Sequence, residues 1–361
     1  MPARHARASM GAMDKGLDIE AAFHAAVLHA ALDSRPAALL DALAELRSGM
    51  AMPERAAALG RLVRGALSPF GLAPDWSVGE RTVAWLQAPG RRLITVHDPA
   101  YPPLLAAIPA PPCVLYVDGA LDALDGPQLA IVGSRRATLF GRELAHELAE
   151  GVVAAGLTVT SGLAAGIDGA AHEGALSAGG ATVAVFGCGI DQRYPRHHAR
   201  LADAVRAGGA LVSEFPLGTG PRPAHFPRRN RIISGLALGT LVVEAAVTSG
   251  SLVTARHALE QGREVFAVPG SIRNPLSRGC HALLRDGAIL VESVQDILDA
   301  LPPHLLRIRA SNCSEKEKQR GIELSVLPAP LRKVAAACEF EPRGFDGIVE
   351  ACGLTAPEGS S

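Results

Sequence analysis

A basic segment running from Arg222 to Ser234 carries the residues best suited to bind a polyanion, and no acidic residue occurs between Glu214 and Glu244. Arginine guanidinium groups bind phosphate through paired hydrogen bonds, and an aromatic face stacks against a base. The candidate contacts are Phe226, Arg228, Arg229, Asn230 and Arg231. One aromatic residue among arginines favours a single nucleic-acid strand over a duplex. Two alternatives stay open: a solvated helix start, and a structural pairing of Arg231 with Glu214 or Glu244.

Two turns rich in small residues follow apolar runs that are typical of buried strands. Ser161–His172 follows Gly156–Thr160, and Gly133–Arg135 follows Leu129–Val132. Small residues at a strand-to-helix turn let an anion approach backbone N–H groups. The candidate binding residues of the two turns are Gly133, Ser134, Arg135, Ser161, Gly162, Ala164 and Gly166. Because the carboxyl ends of parallel strands meet at one edge of a sheet, the turns predict a shared site for a nucleotide or a strand.

Several ionisable and small residues near these turns admit either a chemical or a structural role. Asp168 and His172 are four residues apart, which places them on one helical face as an acid/base pair or as structural groups. We assign structural turn roles to Asp168, His172, Glu214, Glu244, Ser249 and Gly250. No nucleophile and no metal-ligand spacing accompanies them. The sequence therefore predicts no catalytic residue and no metal site.

Known nucleotide fingerprints are absent from the sequence. Gly187-Cys188-Gly189 lacks the third glycine of a dinucleotide motif, and no Gly-Lys-Ser/Thr of a P-loop occurs. We therefore expect no cofactor. Two alternatives remain: an enzyme that cleaves the N-glycosidic bond of nucleoside monophosphates, with Glu244 catalytic behind Gly239-Thr240, and a module that binds a mononucleotide without chemistry.

Short apolar strands alternating with helix-length stretches occupy the middle of the chain. The predicted strands are Arg92–Val96, Val114–Val117, Leu129–Val132, Leu157–Thr160, Thr182–Phe186, Ala210–Ser213, Thr240–Glu244 and Glu264–Val268, and a helix is predicted at Phe140–Ala155. This rhythm is typical of a doubly wound, mostly parallel α/β sheet of extended Rossmann-like type.

The ends of the chain differ from its middle. An Ala- and Leu-rich region predicts a small helical domain at residues 1–85, ahead of an α/β domain at 86–302. Residues 303–361 read as a linker followed by two short helices, at Leu331–Ala337 and Phe345–Ala351. These helices offer too little apolar surface for an independent core.

Composition limits the classes of protein that fit. The chain has 361 residues, of which 48% are hydrophobic and 20% charged, with a formal net charge of −1. A polyanion site must therefore be a local patch rather than a global field. Six scattered cysteines without a Cys-x-x-Cys pair, no membrane-length apolar run and no signal peptide predict a cytoplasmic protein that does not bind membranes.

From about residue 92 to 300 the sequence resembles the DNA-processing protein A (Smf) family of bacteria. The matching segments are Gly133–Arg135, Ser161–Asp168, Ala171-His172, Gly174–Leu176, Tyr194-Pro195, Ser213-Glu214, Phe226–Ile233, Val243–Ala245, Ser249–Ala255, Val268–Ser271 and Gly279-Cys280. Many motifs in the family's order over so long a span make the resemblance specific.

The resemblance implies a Rossmann-like domain that binds single-stranded DNA in a positive pocket, with no established catalytic residue. Family members protect incoming DNA in natural transformation and load the RecA recombinase onto it. It further implies a homodimer through the end of the α/β domain, at about His281–Val291. The tail begins like the family's winged-helix domain and stops at Ser361, before a recognition helix and wing.

Overall fold

The computed structural model describes residues 19–47 and 55–302. Within these residues nine strands form one sheet in the order β1-β2-β6-β5-β4-β3-β7-β8-β9. The strands are β1 Arg91–Thr95, β2 Val114–Gly119, β3 Gln128–Val132, β4 Thr158–Ser161, β5 Thr182–Phe186, β6 Ala210–Ser213, β7 Gly239–Val242, β8 Glu264–Ala267 and β9 Ile289–Leu290.

Most of the strand pairs are parallel. From β6 across to β9 every neighbouring pair runs in the same direction, whereas β1 pairs antiparallel with β2 and β2 pairs antiparallel with β6. The two antiparallel strands extend the parallel core beyond β6, with Tyr116 opposite Ser213. The predicted extended Rossmann-like, mostly parallel α/β fold is confirmed.

Helices connect the strands and cover the sheet. Their bounds are α1 Ile19–Leu32, α2 Pro36–Arg47, α3 Arg55–Leu67, α4 Trp76–Leu86, α5 Pro103–Ala106, α6 Leu139–Ala154, α7 Ile167–Ser177, α8 Ala199–Gly208, α9 His225–Leu236, α10 Ser251–Glu260, α11 Arg278–Arg285 and α12 Val294–Ala300. The helix predicted at Phe140–Ala155 is α6, displaced by one residue.

Alternation along the central strand β3 shows why helices lie on both faces of the sheet. Leu129 and Ile131 belong to the apolar core shared with α6 and α7. Ala130 and Val132 belong to the opposite core, shared with α9 and α10. A strand buried on both faces needs apolar residues at every position, which is the pattern of the sequence here.

The predicted N-terminal helical region corresponds to α1–α4. Leu28 and Leu32 of α1 are fully buried, and they belong to the same apolar core as Tyr116 of β2 and Phe186 of β5. The region therefore packs on the antiparallel side of the sheet. The domain boundary between residues 85 and 86 stays a prediction.

Some predicted elements differ from the structure or fall outside it. The strand predicted at Thr240–Glu244 is β7, which ends at Val242 and leaves Glu244 in the following loop. The short strand β9 was not predicted, because only two residues form it. The linker, the tail helices and the winged-helix-like tail at 303–361 lie outside the described residues.

Two further sequence features can be located. None of the helices in residues 19–47 and 55–302 is both long and apolar enough to cross a membrane. Cys113, Cys188 and Cys280 are free and buried. Burial raises the pKa of the Cys188 thiol to about 11 and that of Cys280 to about 12, so both are protonated at neutral pH.

Candidate nucleic-acid interface

A cleft of about 750 Å³ opens at the carboxyl ends of the parallel strands. We call it the basic cleft. It is lined by the loop after β3, part of the turn after β4, Tyr194, the segment 221–230 and the loop after β7. Its charged lining residues are Arg135, Arg136, Arg222, Arg229 and Asp168. Four guanidinium groups against one carboxylate make the cleft positive, in a chain whose formal net charge is −1.

Arg135, Phe226 and Tyr194 form a cationic and aromatic wall of the basic cleft. The guanidinium carbon of Arg135 lies 5.3 Å from the centre of the Phe226 ring. The Tyr194 ring lies 5.6 Å from the same ring, tilted by 41°. The structure thus brings together two residues that the sequence predicted in separate segments, and it adds Tyr194. Such a wall can stack a base and hold its phosphate.

The turn after β4 is closed by the carboxylate of Asp168 at the start of α7. Its Oδ2 accepts hydrogen bonds from the backbone N–H groups of Gly162, at 3.1 Å, and Ala164, at 3.4 Å. Burial raises the pKa of this carboxyl group, while the charge of Arg229 and the two backbone hydrogen bonds act in the opposite direction. The two N–H groups are therefore occupied within the turn, and of the small residues predicted here Ala164 alone lines the basic cleft.

Ser161, Gly162 and Gly166 shape the turn from inside. The Ser161 hydroxyl donates to the Ile131 carbonyl oxygen at 2.6 Å, which joins β4 to β3. Gly166 has a φ of +81°, and a Cβ there would collide with the carbonyl oxygen of Ser134. That carbonyl in turn accepts the N–H of Ile167 at 3.2 Å. Glycine at position 166 therefore lets the two predicted turns touch.

Arg229 lies at the base of the cleft and is 4% exposed. Its Nη1 donates to the carbonyl oxygen of Gly162 at 2.7 Å and to that of Val185. Burial lowers the pKa of its guanidinium group to about 10, and the nearby Asp168 carboxylate counteracts this shift. Arg229 is thus charged at neutral pH, and it ties the turn after β4 to the end of β5.

Arg228 and Arg231 point into an internal ion network rather than lining the basic cleft. Glu214, 1% exposed, accepts from Arg231 at 2.8 and 2.7 Å and from Arg228 at 3.1 Å. Arg228 also makes a bidentate pair with Asp33 of the N-terminal region, at 2.7 and 2.6 Å. Arg231 therefore has the structural partner Glu214, one of the two carboxylates considered for it from the sequence.

Asn230 positions the loop after β7. Its Nδ2 donates to the Gly250 carbonyl oxygen at 3.2 Å, and its Oδ1 accepts from Arg229 Nε at 3.2 Å. In the same loop the hydroxyls of Ser249 and Ser251 are 2.7 Å apart. The lining of the basic cleft includes Asn230, Ser249, Gly250 and Ser251, and also Gly133 and Ser134 from the loop after β3.

His172 and Glu244 are held by structural contacts. Thr182 Oγ1 gives its proton to the Val159 carbonyl oxygen, so the 2.7 Å contact with His172 requires that Nδ1 of the imidazole donates. Complete burial lowers the pKa of His172 to about 3, which keeps the ring neutral. Glu244 accepts from the N–H and hydroxyl of Thr138, at 2.9 and 2.7 Å, and caps the approach to α6.

The cleft residues that were missed as contacts from the sequence include the two arginines Arg136 and Arg222 and the aromatic residue Tyr194. Arg136 is adjacent to Arg135 and Arg222 opens the predicted basic segment, so both carried a usable signal. Tyr194 belongs to the loop after β5, and its segment Tyr194-Pro195 matched the family without being assigned a contact; the fold brings it to Phe226.

Comparison with known proteins decides the family. Residues 92–302 match the sequence profile described as "DNA recombination-mediator protein A". The chain belongs to this family. Protein Smf of Escherichia coli is 46% identical over 282 residues, covering 77% of this chain and 74% of that protein. DNA processing protein DprA of Streptococcus pneumoniae is 46% identical over 204 residues, covering 56% and 72%.

Solved structures of family members have the same architecture. The crystal structure of DNA processing protein A from Streptococcus pneumoniae superimposes with a TM-score of 0.59 at 35% identity, covering 80% of this chain and 95% of that one. DNA processing protein A from Helicobacter pylori gives a TM-score of 0.51 at 28% identity, covering 55% and 91%. The family's sequence profile spans residues 92–302, which include the strands that build the basic cleft.

Proposed function

We propose that this protein binds single-stranded DNA in the basic cleft, as part of DNA processing in natural transformation and recombination. The observation that carries the proposal is the wall of Arg135, Phe226 and Tyr194 beside exposed Arg136 and Arg222. Guanidinium groups suit phosphates, and the ring suits an unpaired base. The Helicobacter pylori relative supports the proposal, because its structure is described as showing a single-stranded DNA binding mode.

In this proposal the arginines divide into two groups. Arg135, Arg136 and Arg222 contact the strand, and the backbone of Gly133, Ser134 and Ala164 lies against it. Arg228, Arg229 and Arg231 position helix α9 and the turn after β4 through their internal hydrogen bonds. The strand would thus meet fewer positive charges than the basic segment contains.

Membership of the family supports a proposal for the cellular role and the assembly. We propose that the protein protects incoming DNA, loads the RecA recombinase onto it and acts without catalysis in the cytoplasm. We also propose a homodimer through residues 281–291. Those residues include the edge strand β9, whose Leu290 is 46% exposed.

Fluorescence anisotropy with labelled single- and double-stranded oligonucleotides tests the binding proposal. We expect tight binding of the single strand, weak binding of the duplex, and at least about tenfold weaker binding by Arg135→Ala, since one charge-assisted contact contributes about 1.5–3 kcal/mol. Arg256→Ala is the matched control, because Arg256 is exposed on α10 and does not line the cleft. Equal affinity for both DNA forms would overturn the proposal.

The glycosidase alternative receives no support from the position of Glu244. Both carboxylate oxygens accept hydrogen bonds from Thr138, and Glu244 does not line the basic cleft. We therefore expect no release of free base from nucleoside monophosphates by the native protein. Base release that disappears in Glu244→Gln would reinstate the enzyme.

A further inference from the structure

Helix α6 begins with two exposed apolar side chains. Leu139 is 64% exposed and Phe140 is 61% exposed. The side of the helix that faces the core carries Gly141 and Ala145 instead. Burying a large apolar side chain is favourable, so an exposed pair of such residues at a helix start points to a surface that meets a partner.

Contacts at the start of α6 place this pair beside the basic cleft. Thr138 donates its N–H and its hydroxyl to Glu244, which fixes the start of α6 against the chain after β7. Ala246 and Thr248 of that same chain line the cleft. Arg136, four residues before Phe140, lines it as well, and four residues of chain span at most about 14 Å. The backbone of Phe140 therefore lies within about 14 Å of a residue that lines the cleft.

Charge near Phe140 matches a polyanion and limits where it can run. Arg136 and Arg142 are exposed on either side of Phe140 in the sequence. The N-terminal end of a helix adds partial positive charge. Further along α6, Glu143 and Glu147 line a neighbouring cavity together with Arg142. Positive charge from Arg136, Arg142 and the helix N-terminus thus lies at the first turn of α6, which carries the exposed ring, whereas the acidic side chains begin at Glu143.

We propose that Phe140 is a stacking platform for a base of the bound strand immediately outside the basic cleft. This inference rests on the proposed single-stranded DNA binding. Phe226 holds one base within the cleft, and Phe140 holds another after the strand has passed Arg136. Every base has a π face, so the platform accepts any base. The strand leaves the cleft over the start of α6.

Anisotropy with oligothymidylates of two lengths tests the platform. One oligonucleotide of about 4 nucleotides fills the cleft alone, and one of about 16 nucleotides extends past its rim. We expect Phe140→Ala to weaken binding of the longer strand about tenfold while binding of the shorter strand changes less than about twofold. Phe140→Trp should restore affinity, and its added fluorescence should be quenched when the longer strand binds.

The neighbouring residue supplies the control, because Leu139 is equally exposed and apolar but has no π face. We expect Leu139→Ala to bind both lengths as the native protein does. Equal weakening by Leu139→Ala and Phe140→Ala would overturn stacking in favour of a general apolar contact. Unchanged affinity of Phe140→Ala, with native binding intact, would overturn the platform alone. A native protein that binds neither length would overturn the proposed function together with the platform.

Discussion

At the residue scale, arginines that are close together in the sequence have different roles. Arg222 is exposed at the cleft, Arg229 is buried beneath it, and Arg231 pairs with Glu214. Charge and spacing predicted a basic segment correctly but could not separate these roles. Arg229 and Arg231 of α9 differ in exposure and in partners because each successive side chain of a helix is rotated by about 100° around its axis.

Arg229→Met should lower the free energy of unfolding, because Arg229 has a structural role and does not contact DNA directly. The change leaves the Gly162 and Val185 carbonyl oxygens without their donor and the Asp168 carboxylate without its opposing charge. Breaking a buried ionic contact of this kind costs about 3–5 kcal/mol. Urea unfolding measures the loss, and Arg222→Ala, exposed at the cleft, should stay within about 0.5 kcal/mol of the native protein. Equal stabilities for the two variants would contradict the assignment of Arg229.

His172 should make stability fall as the pH is lowered. Its pKa is about 3 in the folded protein, below the ordinary value of 6.5, so the unfolded state binds the proton more readily. The stabilisation is complete above pH 6.5 and is lost between 6.5 and 3. At pH 5 the loss amounts to about 2 kcal/mol relative to pH 7.5. Urea unfolding at both pH values should show a smaller difference for His172→Gln, and an unchanged difference would refute the role of this histidine.

At the element scale, the order of strands explains why distant predicted residues meet. Arg135 follows β3 and Phe226 lies in the first turn of α9, yet their side chains are in contact because parallel strands end at the same edge of the sheet. This part of the site was predictable from the sequence. The closure of the Ser161–His172 turn by the Asp168 carboxylate was not predictable, because the same small residues could equally have offered their N–H groups to an anion.

Gly166→Ala tests how closely the two turns approach one another. The φ of +81° disfavours any side chain, and a Cβ would also collide with the Ser134 carbonyl oxygen beside Arg135. We expect destabilisation of more than about 2 kcal/mol together with weaker DNA binding. Gly179→Ala is the control, since Gly179 has a φ of +69° and open space where its Cβ would lie. Calorimetry and anisotropy on both variants separate backbone strain from collision, and equal losses would argue against the collision.

At the scale of the whole molecule, the N-terminal helical region is joined to helix α9 by an ion pair between Asp33 and Arg228. Asp33 lies 195 residues before Arg228 in the sequence, and no local pattern links the two. Burial acts to raise the pKa of Asp33, yet its hydrogen bonds with Arg228 and His29 hold that pKa below the usual range. Such long-range pairs form only when complete elements pack together. The sequence alone therefore did not reveal Asp33 as the partner of Arg228, and Arg228 was predicted as a direct DNA contact.

A double-mutant cycle with Asp33→Ala and Arg228→Ala should reveal this coupling. Because both side chains are about one-third exposed, solvent screens the pair, and we expect a coupling free energy of about 1 kcal/mol in urea unfolding. The cycle of Asp33→Ala with Arg222→Ala should show none, since Arg222 belongs to the cleft. Additive effects in the first cycle would mean that the pair does not join the two regions.

The dependence of DNA affinity on salt should count the arginines that meet the strand. For single strands the logarithm of affinity falls with the logarithm of salt concentration by about 0.7 for each phosphate neutralised. Contacts by Arg135, Arg136 and Arg222 alone give a slope of about −2, whereas contacts by these three together with Arg228, Arg229 and Arg231 give about −4. Anisotropy titrations at several salt concentrations measure the slope, and the steeper value would place the internal arginines on the DNA.

Neutralisation of Arg228 and Arg231 by Glu214 and Asp33 also affects how fast a strand is captured. With a formal net charge of −1, the molecule as a whole offers no net long-range attraction to an approaching polyanion. At physiological ionic strength the field of the cleft fades over about 8 Å. Encounter should therefore resemble that of uncharged partners, at about 10⁵–10⁶ M⁻¹s⁻¹, so that residence time rather than steering sets the affinity.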